Sequence, residues 1–228
     1  MSEYYSTGNK TITDFSENNV TEMYNQGYVF TRLGKGVMNQ TRSLRIDLSK
    51  FDLNSENRRV LKKSENLVGT SHALPLQDYS WEIHKLGKDF YTIKFGDQTM
   101  SASKIKEMFQ NSEQSNMNYS FKFEIINPKS EKAAGYCLAY INNEIVHYGY
   151  PFYDLELPKE LNLGMAMMLK AILWAKENGK KYIYLGSIVD QKAKYKLQFE
   201  GLEWWDEGKW SSDLDRLKNL INNLGEVC

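Results

Sequence analysis

The apolar and polar positions of this chain predict an alternation of helices and strands. A helix is expected at residues 14–25, with Thr13 or Asp14 as its cap. The residues expected on its inner side are Phe15, Val20 and Met23 or Tyr24. A strand is expected at 43–51, and its apolar face carries Leu44, Ile46 and Leu48. A second helix should begin near Glu56, with Ser55 as its cap.

The middle of the chain has a mixed pattern. Residues 80–86 and 90–96, SWEIHKL and FYTIKFG, read as short strands between turns. Residues 102–111 predict a helix, whereas 110–118 have the small, polar composition of a linker. We therefore expect two parts, an N-terminal part at 1–110 and a second domain at 119–228.

After residue 118 the pattern becomes regular. Strands are expected at 119–127, 133–142, 143–154, 181–189 and 201–210, and helices at 163–178 and 191–199. The pair Asn142 and Asn143 favours a tight turn between the second and third of these strands. This order resembles a GNAT-type acyltransferase. It predicts an α+β fold with a mixed, mainly antiparallel sheet flanked by helices, plus a smaller N-terminal α/β part.

Composition fits an ordinary globular protein. The 228 residues are 41% hydrophobic and 25% charged, enough for one large domain or two small ones. Cys137 and Cys228 alone support neither a disulfide framework nor a zinc site, so no metal is expected. No apolar run reaches the roughly 20 residues of a membrane span, and the polar first thirty residues lack a signal core. A cytoplasmic protein with no membrane partner is therefore expected.

Charge is unevenly distributed. Residues 32–63 contain nine basic and three acidic residues, a local charge of +6, although the whole chain has a net charge of zero. Such a patch favours local attraction to phosphate. The alternative is a solvated helix face without a ligand.

Two separated blocks resemble the arginyl-tRNA and leucyl-tRNA protein transferase family. The first is GYVFTRLG at 27–34, followed by LRIDLSKFDLNSENRRVLKK at 44–63, similar to the family's aromatic-arginine turn and its SQRRVLRR element. The second, at 152–199, resembles the family's YDPD, SLG, YYLGY and KM.YK region. Because these enzymes transfer an amino acid from aminoacyl-tRNA to a protein N-terminus, the resemblance implies that activity, with arginine or leucine as the transferred residue.

The resemblance also implies residue roles. Asp154, with Glu156 in reserve, would contact or deprotonate the incoming α-amine, and Tyr195 would donate to the ester carbonyl or the leaving 3′ oxygen. Other expected substrate-binding residues are Tyr153, Gly186, Ser187, Lys192 and Lys196, with Lys192 or Lys196 pairing with terminal phosphates. The tRNA acceptor stem would lie along Arg42, Arg45, Arg58, Arg59, Lys62 and Lys63. The expected partners are aminoacyl-tRNA, as co-substrate with no further cofactor, and a protein or peptide with a free N-terminus.

The sequence departs from the family pattern in two places and leaves alternatives open. The cysteine cluster that usually precedes the basic strand is absent, and YDLELP replaces YDPD. The segment 157–168 lies where acetyltransferases bind coenzyme A, so a coenzyme A-dependent N-acetyltransferase is one alternative. A non-catalytic tRNA-binding module is another. His147, a lone strand histidine, fits a packed position better than a catalytic base.

Overall fold

The computed structural model describes residues 6–126, 133–189 and 191–223. The strands in these ranges are β1 (Gly8–Thr11), β2 (Tyr28–Phe30), β3 (Val37–Gln40), β4 (Ser43–Asp47), β5 (Leu67–Ala73), β6 (Tyr119–Ile125), β7 (Ala133–Ile141), β8 (Ile145–Tyr153), β9 (Tyr182–Ser187), β10 (Leu202–Asp206) and β11 (Lys209–Ser211). The helices are α1 (Glu17–Asn25), α2 (Ser55–Lys63), α3 (Trp81–Phe95), α4 (Ala102–Gln110), α5 (Leu163–Glu177) and α6 (Leu214–Asn223). Shorter 3-10 helices occupy Lys159–Leu161 and Gln191–Gln198.

One large sheet organises the molecule. Its strand order is β11-β10-β4-β9-β8-β7-β6-β5, and a small second sheet has the order β1-β3-β2. β8 and β9 run parallel, whereas the other neighbouring pairs are antiparallel. The predicted α+β class with a mixed, mainly antiparallel sheet is confirmed. Because β4 and β5 precede residue 110, the expected division between 1–110 and 119–228 passes through this sheet.

The two faces of the large sheet carry separate apolar cores. On one face lie α2, α5 and α6, and α5 is covered so fully that nine of its residues are buried. On the other face lie α1, α3, α4 and the small sheet, packed around buried tyrosine, phenylalanine and methionine side chains. Within the described ranges, no helix is long and apolar enough to cross a membrane.

The prediction of two short strands at 80–86 and 90–96 is wrong, because α3 is one continuous helix over this stretch. Its buried residues Ile83, Gly87, Phe90 and Tyr91 follow helical spacing. The isoleucines and aromatic residues that favoured a strand are placed on one helix face by packing against α4 and β8.

Several predicted boundaries also differ. Ser16, not Thr13 or Asp14, caps α1 through its hydroxyl, and Phe15 is exposed instead of inward. Asn54 caps α2, so Ser55 is the first helical residue. The strand predicted at 201–210 is a hairpin of β10 and β11, and the helix predicted at 191–199 is a 3-10 helix. The Asn142–Asn143 turn is confirmed, since the Asn142 carboxamide oxygen accepts from the Glu144 and Ile145 amides.

Candidate active site

β8 and β9 pair over a short distance and then separate. Their parallel register joins Ile145 with Tyr182 and ends at His147 with Tyr184. Beyond this point β8 continues along β7, whereas β9 continues along β4 to Ser187. We call the space between residues 148–153 of β8 and 185–187 of β9 the strand gap. A crevice where neighbouring strands diverge is a common ligand site in α/β sheets.

A lysine occupies the β9 side of the strand gap. The Lys196 ammonium donates to the carbonyl oxygens of Leu185 at 2.8 Å and Ser187 at 3.3 Å. Gly186 lies between them at φ +74°, and a Cβ there would lie 3.8 Å from the Lys196 Nζ. Burial lowers the pKa of Lys196 to about 8. Lys196 was predicted to pair with phosphate; the structure instead shows it bound to two backbone carbonyls.

His147 marks the inner end of the strand gap and is neutral. The Tyr24 hydroxyl lies 2.8 Å from the His147 Nδ1 and accepts from the Phe30 amide at 3.3 Å. The imidazole tautomer decides which of the two groups donates in the hydrogen bond between Tyr24 and His147. Burial, together with the nearby positive charge of Lys196, lowers the pKa of His147 to about 3. The expectation of a packed histidine agrees with this environment.

Tyrosines line the outer end. The Tyr153 ring packs 4.8 Å from the Phe90 ring, and a Cβ on Gly164 would lie 3.3 Å from it. Gly164, at the start of α5, therefore makes room for Tyr153. Tyr195 is 47% exposed, yet burial of its hydroxyl raises its pKa, with Tyr153 as a smaller cause. Both phenols keep their protons at neutral pH and can donate hydrogen bonds.

Two carboxylates follow β8. The Asp154 amide donates to the Ala134 carbonyl at 2.9 Å, which holds the residue at the end of the sheet. The Asp154 Oδ1 accepts from the Glu156 amide at 2.9 Å, whereas the Glu156 side chain is exposed. Asp154 therefore has the more fixed carboxylate and directly follows Tyr153.

Lys192 is exposed on the 3-10 helix Gln191–Gln198. In the described part of the chain, no group of three or more His, Cys, Asp or Glu residues could hold a metal ion.

The predicted tRNA-binding residues fall into two groups. Arg58, Arg59, Lys62 and Lys63 are exposed on α2, and Arg59 pairs with Glu56 at 2.5 Å. Arg42 lies partly buried just before β4, where its carbonyl accepts from the Ile188 amide. Arg45 must be corrected, because its side chain is buried.

The Arg45 guanidinium is held on three sides. It pairs with Glu203 at 2.8 Å, and its Cζ lies 3.9 Å from the Tyr182 ring centroid and 4.1 Å from that of Trp210. Glu203 belongs to β10, Tyr182 to β9 and Trp210 to β11. Arg45 therefore links four strands of the sheet and is not available to phosphate.

The family model of the arginine-tRNA-protein transferase C-terminus matches residues 79–206, more than half of the chain. The chain belongs to this family. It is similar to an aspartate/glutamate leucyltransferase from Ruegeria pomeroyi, with 27% identity over 175 residues that cover 76% of this chain and 62% of that protein. A relative of the same description from Sphingopyxis alaskensis is 24% identical over 225 residues, which cover 90% of this chain and 84% of its own length.

The transferase-family chain thus spans less than two thirds of the length of the Ruegeria relative. Among solved structures, it is similar to the C-terminal domain of a lysylphosphatidylglycerol synthetase from Agrobacterium fabrum. The identity is 9%, the coverage is 80% of this chain and 55% of that one, and the TM-score is 0.46. A structure described as L-PGS from Bacillus licheniformis is 13% identical, with coverage of 90% and 70% and a TM-score of 0.45. These weak structural similarities add nothing to the family assignment.

The two sequence blocks of the transferase-family chain meet in the large sheet. Strand β4, which carries residues of the first block, pairs with β9 from the second, and β9 also borders the strand gap. The sequence motifs indicated Lys196 and Gly186 but not their contact, which depends on how β8 and β9 separate. The motifs also did not predict that Tyr24 lies at this site, because its hydrogen bond with His147 joins residues 123 positions apart.

Proposed function

We propose that this protein transfers an amino acid from aminoacyl-tRNA to the N-terminal amine of a protein or peptide. The observation that carries the proposal is the family match together with the strand gap, where Tyr153, Asp154, Tyr195 and Lys196 lie at one end of the sheet. An aminoacyl ester is already activated, so the enzyme needs mainly to orient the amine, remove its proton and stabilise the oxyanion.

In the proposed reaction, the acceptor nitrogen attacks the ester carbonyl and the carbon bond to the tRNA 3′ oxygen breaks. Asp154 accepts a proton from the amine, because its carboxylate is fixed at the end of β8. Tyr195 donates a hydrogen bond to the ester carbonyl oxygen as it becomes an oxyanion, since its raised pKa keeps it protonated. The proton that Asp154 took from the amine passes to the leaving 3′ oxygen, so both groups end the reaction in their starting states. Lys192, exposed on the same 3-10 helix, is suited to a terminal phosphate of the tRNA.

Leucine fits the proposed site better than arginine as the transferred residue. Tyr148 and Tyr153 bring aromatic surface to the strand gap, and the charged group bound to β9 is the Lys196 ammonium. A guanidinium placed there would meet a like charge in a partly buried site, which is costly. The relatives from Ruegeria and Sphingopyxis are named as leucyltransferases, which supports the same donor. By the same names, an N-terminal aspartate or glutamate is the proposed acceptor.

The test is transfer of radiolabelled leucine from leucyl-tRNA to peptides that begin with Asp, Glu or Gln, with arginyl-tRNA as a parallel donor. Asp154→Asn should reduce kcat/KM by roughly 10²–10⁴-fold, since it removes a general base. Tyr195→Phe should lower it by about 10- to 100-fold. The matched control is Glu160→Gln, an exposed carboxylate in the 3-10 turn before α5.

If no charged tRNA supports transfer to any of these peptides, the proposal is wrong. If tRNA binding survives Asp154→Asn but wild-type protein gives no turnover, the chain is a non-catalytic tRNA-binding module. Coenzyme A co-purifying with the protein would instead indicate an acetyltransferase.

A further inference from the structure

Arg32 lies in the loop between β2 and β3 and has no anionic partner in the described part of the chain. Its side chain is partly buried, and its Nη1 lies 3.9 Å from the Met100 sulfur, a weak acceptor. Arg45, by comparison, is paired with Glu203. A partly buried guanidinium that lacks a protein carboxylate, yet still reaches solvent, is suited to bind an anionic ligand.

The loop that carries Arg32 is held firmly. The Asn116 carboxamide donates to the carbonyls of Thr31 at 2.9 Å and Gly34 at 2.7 Å, and accepts from the Gly36 amide at 2.7 Å. The Lys35 ammonium donates to the Ser115 carbonyl at 2.8 Å. The backbone on both sides of Arg32 is therefore fixed, as a binding residue requires.

The same contacts place Arg32 beside the strand gap. Met117, next to Asn116, has its sulfur 3.6 Å from the Cβ position of Gly149, where the β7–β8 register shifts just past His147. The Tyr91 hydroxyl donates to the Pro151 carbonyl of β8 at 3.2 Å. Burial raises the pKa of Tyr91, and the nearby charge of Arg32 opposes this rise. Arg32 thus flanks β8 where that strand leaves β9.

Arg32 and the basic helix α2 lie on opposite faces of the large sheet. α2 packs with α5 through Val60, whereas Arg32 lies with α3, α4 and the small sheet. A tRNA backbone held along α2 would approach the strand gap from one face and leave the face with Arg32 open to the other substrate. A planar guanidinium also matches the two oxygens of a carboxylate.

From these observations we infer that Arg32 binds the side-chain carboxylate of the acidic N-terminal residue of the acceptor. The inference rests on the proposed function and adds a residue that determines acceptor specificity. The acceptor would lie along β8 residues 149–151, with its α-amine directed towards Asp154 and its side chain towards Arg32.

The experiment measures peptide binding in the absence of tRNA. Two peptides with a C-terminal fluorophore, identical except for Asp or Asn at the first position, are titrated with full-length protein. Wild-type protein should prefer the Asp peptide, and Arg32→Gln should reduce that preference by about 10- to 100-fold. Arg32→Lys should keep part of it, because the charge remains but the two-pronged geometry is lost. The control Lys94→Gln removes an exposed cation of α3 and should change nothing.

Each outcome has a defined meaning. An unchanged Asp preference in Arg32→Gln, with thermal melting showing folded protein, would overturn the inference. A weaker tRNA affinity in Arg32→Gln, with a salt slope reduced by about one, would also overturn it, because Arg32 would then contact phosphate. Binding is measured without tRNA, so the two proposals can be tested separately. If the protein transfers no leucine but prefers the Asp peptide in a way that depends on Arg32, the proposed function is wrong and the role of Arg32 stands.

Discussion

At the residue scale, Lys196 shows how backbone carbonyls can hold an ammonium inside a protein. Its ammonium gains two backbone carbonyls but loses much of its water, and this burial lowers its pKa to about 8. In the unfolded chain the pKa returns to the ordinary lysine value of about 10.4. Between these two values the unfolded state binds more protons, so stability rises with pH.

This linkage predicts that the unfolding free energy of the wild type depends on pH through Lys196, and that Lys196→Met removes this contribution. Below about pH 8 the lysine is charged in both states, and the difference in unfolding free energy between wild type and variant should be constant. From about pH 8 to about pH 10 the difference should rise in favour of the wild type, by at most about 1.4 kcal/mol per pH unit. Urea unfolding of both proteins at pH 7, 8, 9 and 10 measures it. If the difference in unfolding free energy between the two proteins does not change with pH, the Lys196 pKa is not lowered.

Gly27 provides a second test at this scale. It has φ +78°, and a Cβ there would lie 2.3 Å from the Trp205 ring. Gly27→Ala should therefore cost roughly 2–4 kcal/mol in unfolding free energy, because strain and overpacking act together. Gly179 has φ +68° with nothing within 4 Å of its Cβ position, so Gly179→Ala should cost only about 1 kcal/mol. Equal costs in chemical denaturation would contradict a role for the Trp205 contact.

At the element scale, Arg45 joins β4 to the hairpin of β10 and β11. Glu203→Ala should destabilise the protein by about 3–5 kcal/mol, because it leaves a buried guanidinium without its carboxylate. Lys50 also contacts Glu203 but is 62% exposed, so Lys50→Ala should cost at most about 1 kcal/mol. Thermal unfolding of the two variants compares them. Similar melting temperatures would show that Arg45 is stabilised mainly by its two aromatic neighbours.

The same scale shows what the sequence could predict. The strands β6 to β9 and helix α5 were predicted with nearly their observed bounds, because their apolar runs are long and a turn such as Asn142–Asn143 separates them. The helix α3 was missed because Ile83, Phe90 and Tyr91 favour strands locally, and only packing against β8 places them on one face.

The candidate site was predictable in part. Tyr153, Asp154, Gly186 and Lys196 could be found as motif positions, but their arrangement could not. The strand gap exists because β9 stays paired with β4 after its pairing with β8 ends, and β4 lies more than a hundred residues earlier in the chain. Arg45 was misassigned for a related reason, since its partner Glu203 is equally distant in sequence. Alternation separates Arg45 from the apolar face of its strand without showing that Glu203 lies directly beside it on the neighbouring strand β10.

At the scale of the whole molecule, the charge distribution predicts where the tRNA of the proposed reaction should bind. Arg58, Lys62 and Lys63 are exposed on α2, whereas Arg59 is already paired with Glu56. Arg58→Ala should lower the slope of log affinity against log salt concentration by about one. The double variant that combines Lys62→Ala and Lys63→Ala should lower this slope by about two. Arg59→Ala should have a smaller effect than Arg58→Ala. Filter binding between 50 and 200 mM salt measures these slopes, and unchanged slopes in all three variants would place the tRNA elsewhere.

The position of β4 in the large sheet has a consequence for how the protein is made. β4 lies between β9 and β10, and Ser43 pairs with Ser187. On the ribosome, β4 therefore emerges long before either of its neighbours exists. Its apolar residues Leu44 and Ile46, which are buried in the folded protein, stay unpaired in the nascent chain until the last quarter of the protein has been synthesised. Folding that depends on such distant pairings is slow and exposed to aggregation, so chaperones that bind nascent apolar segments should have their greatest effect on this strand.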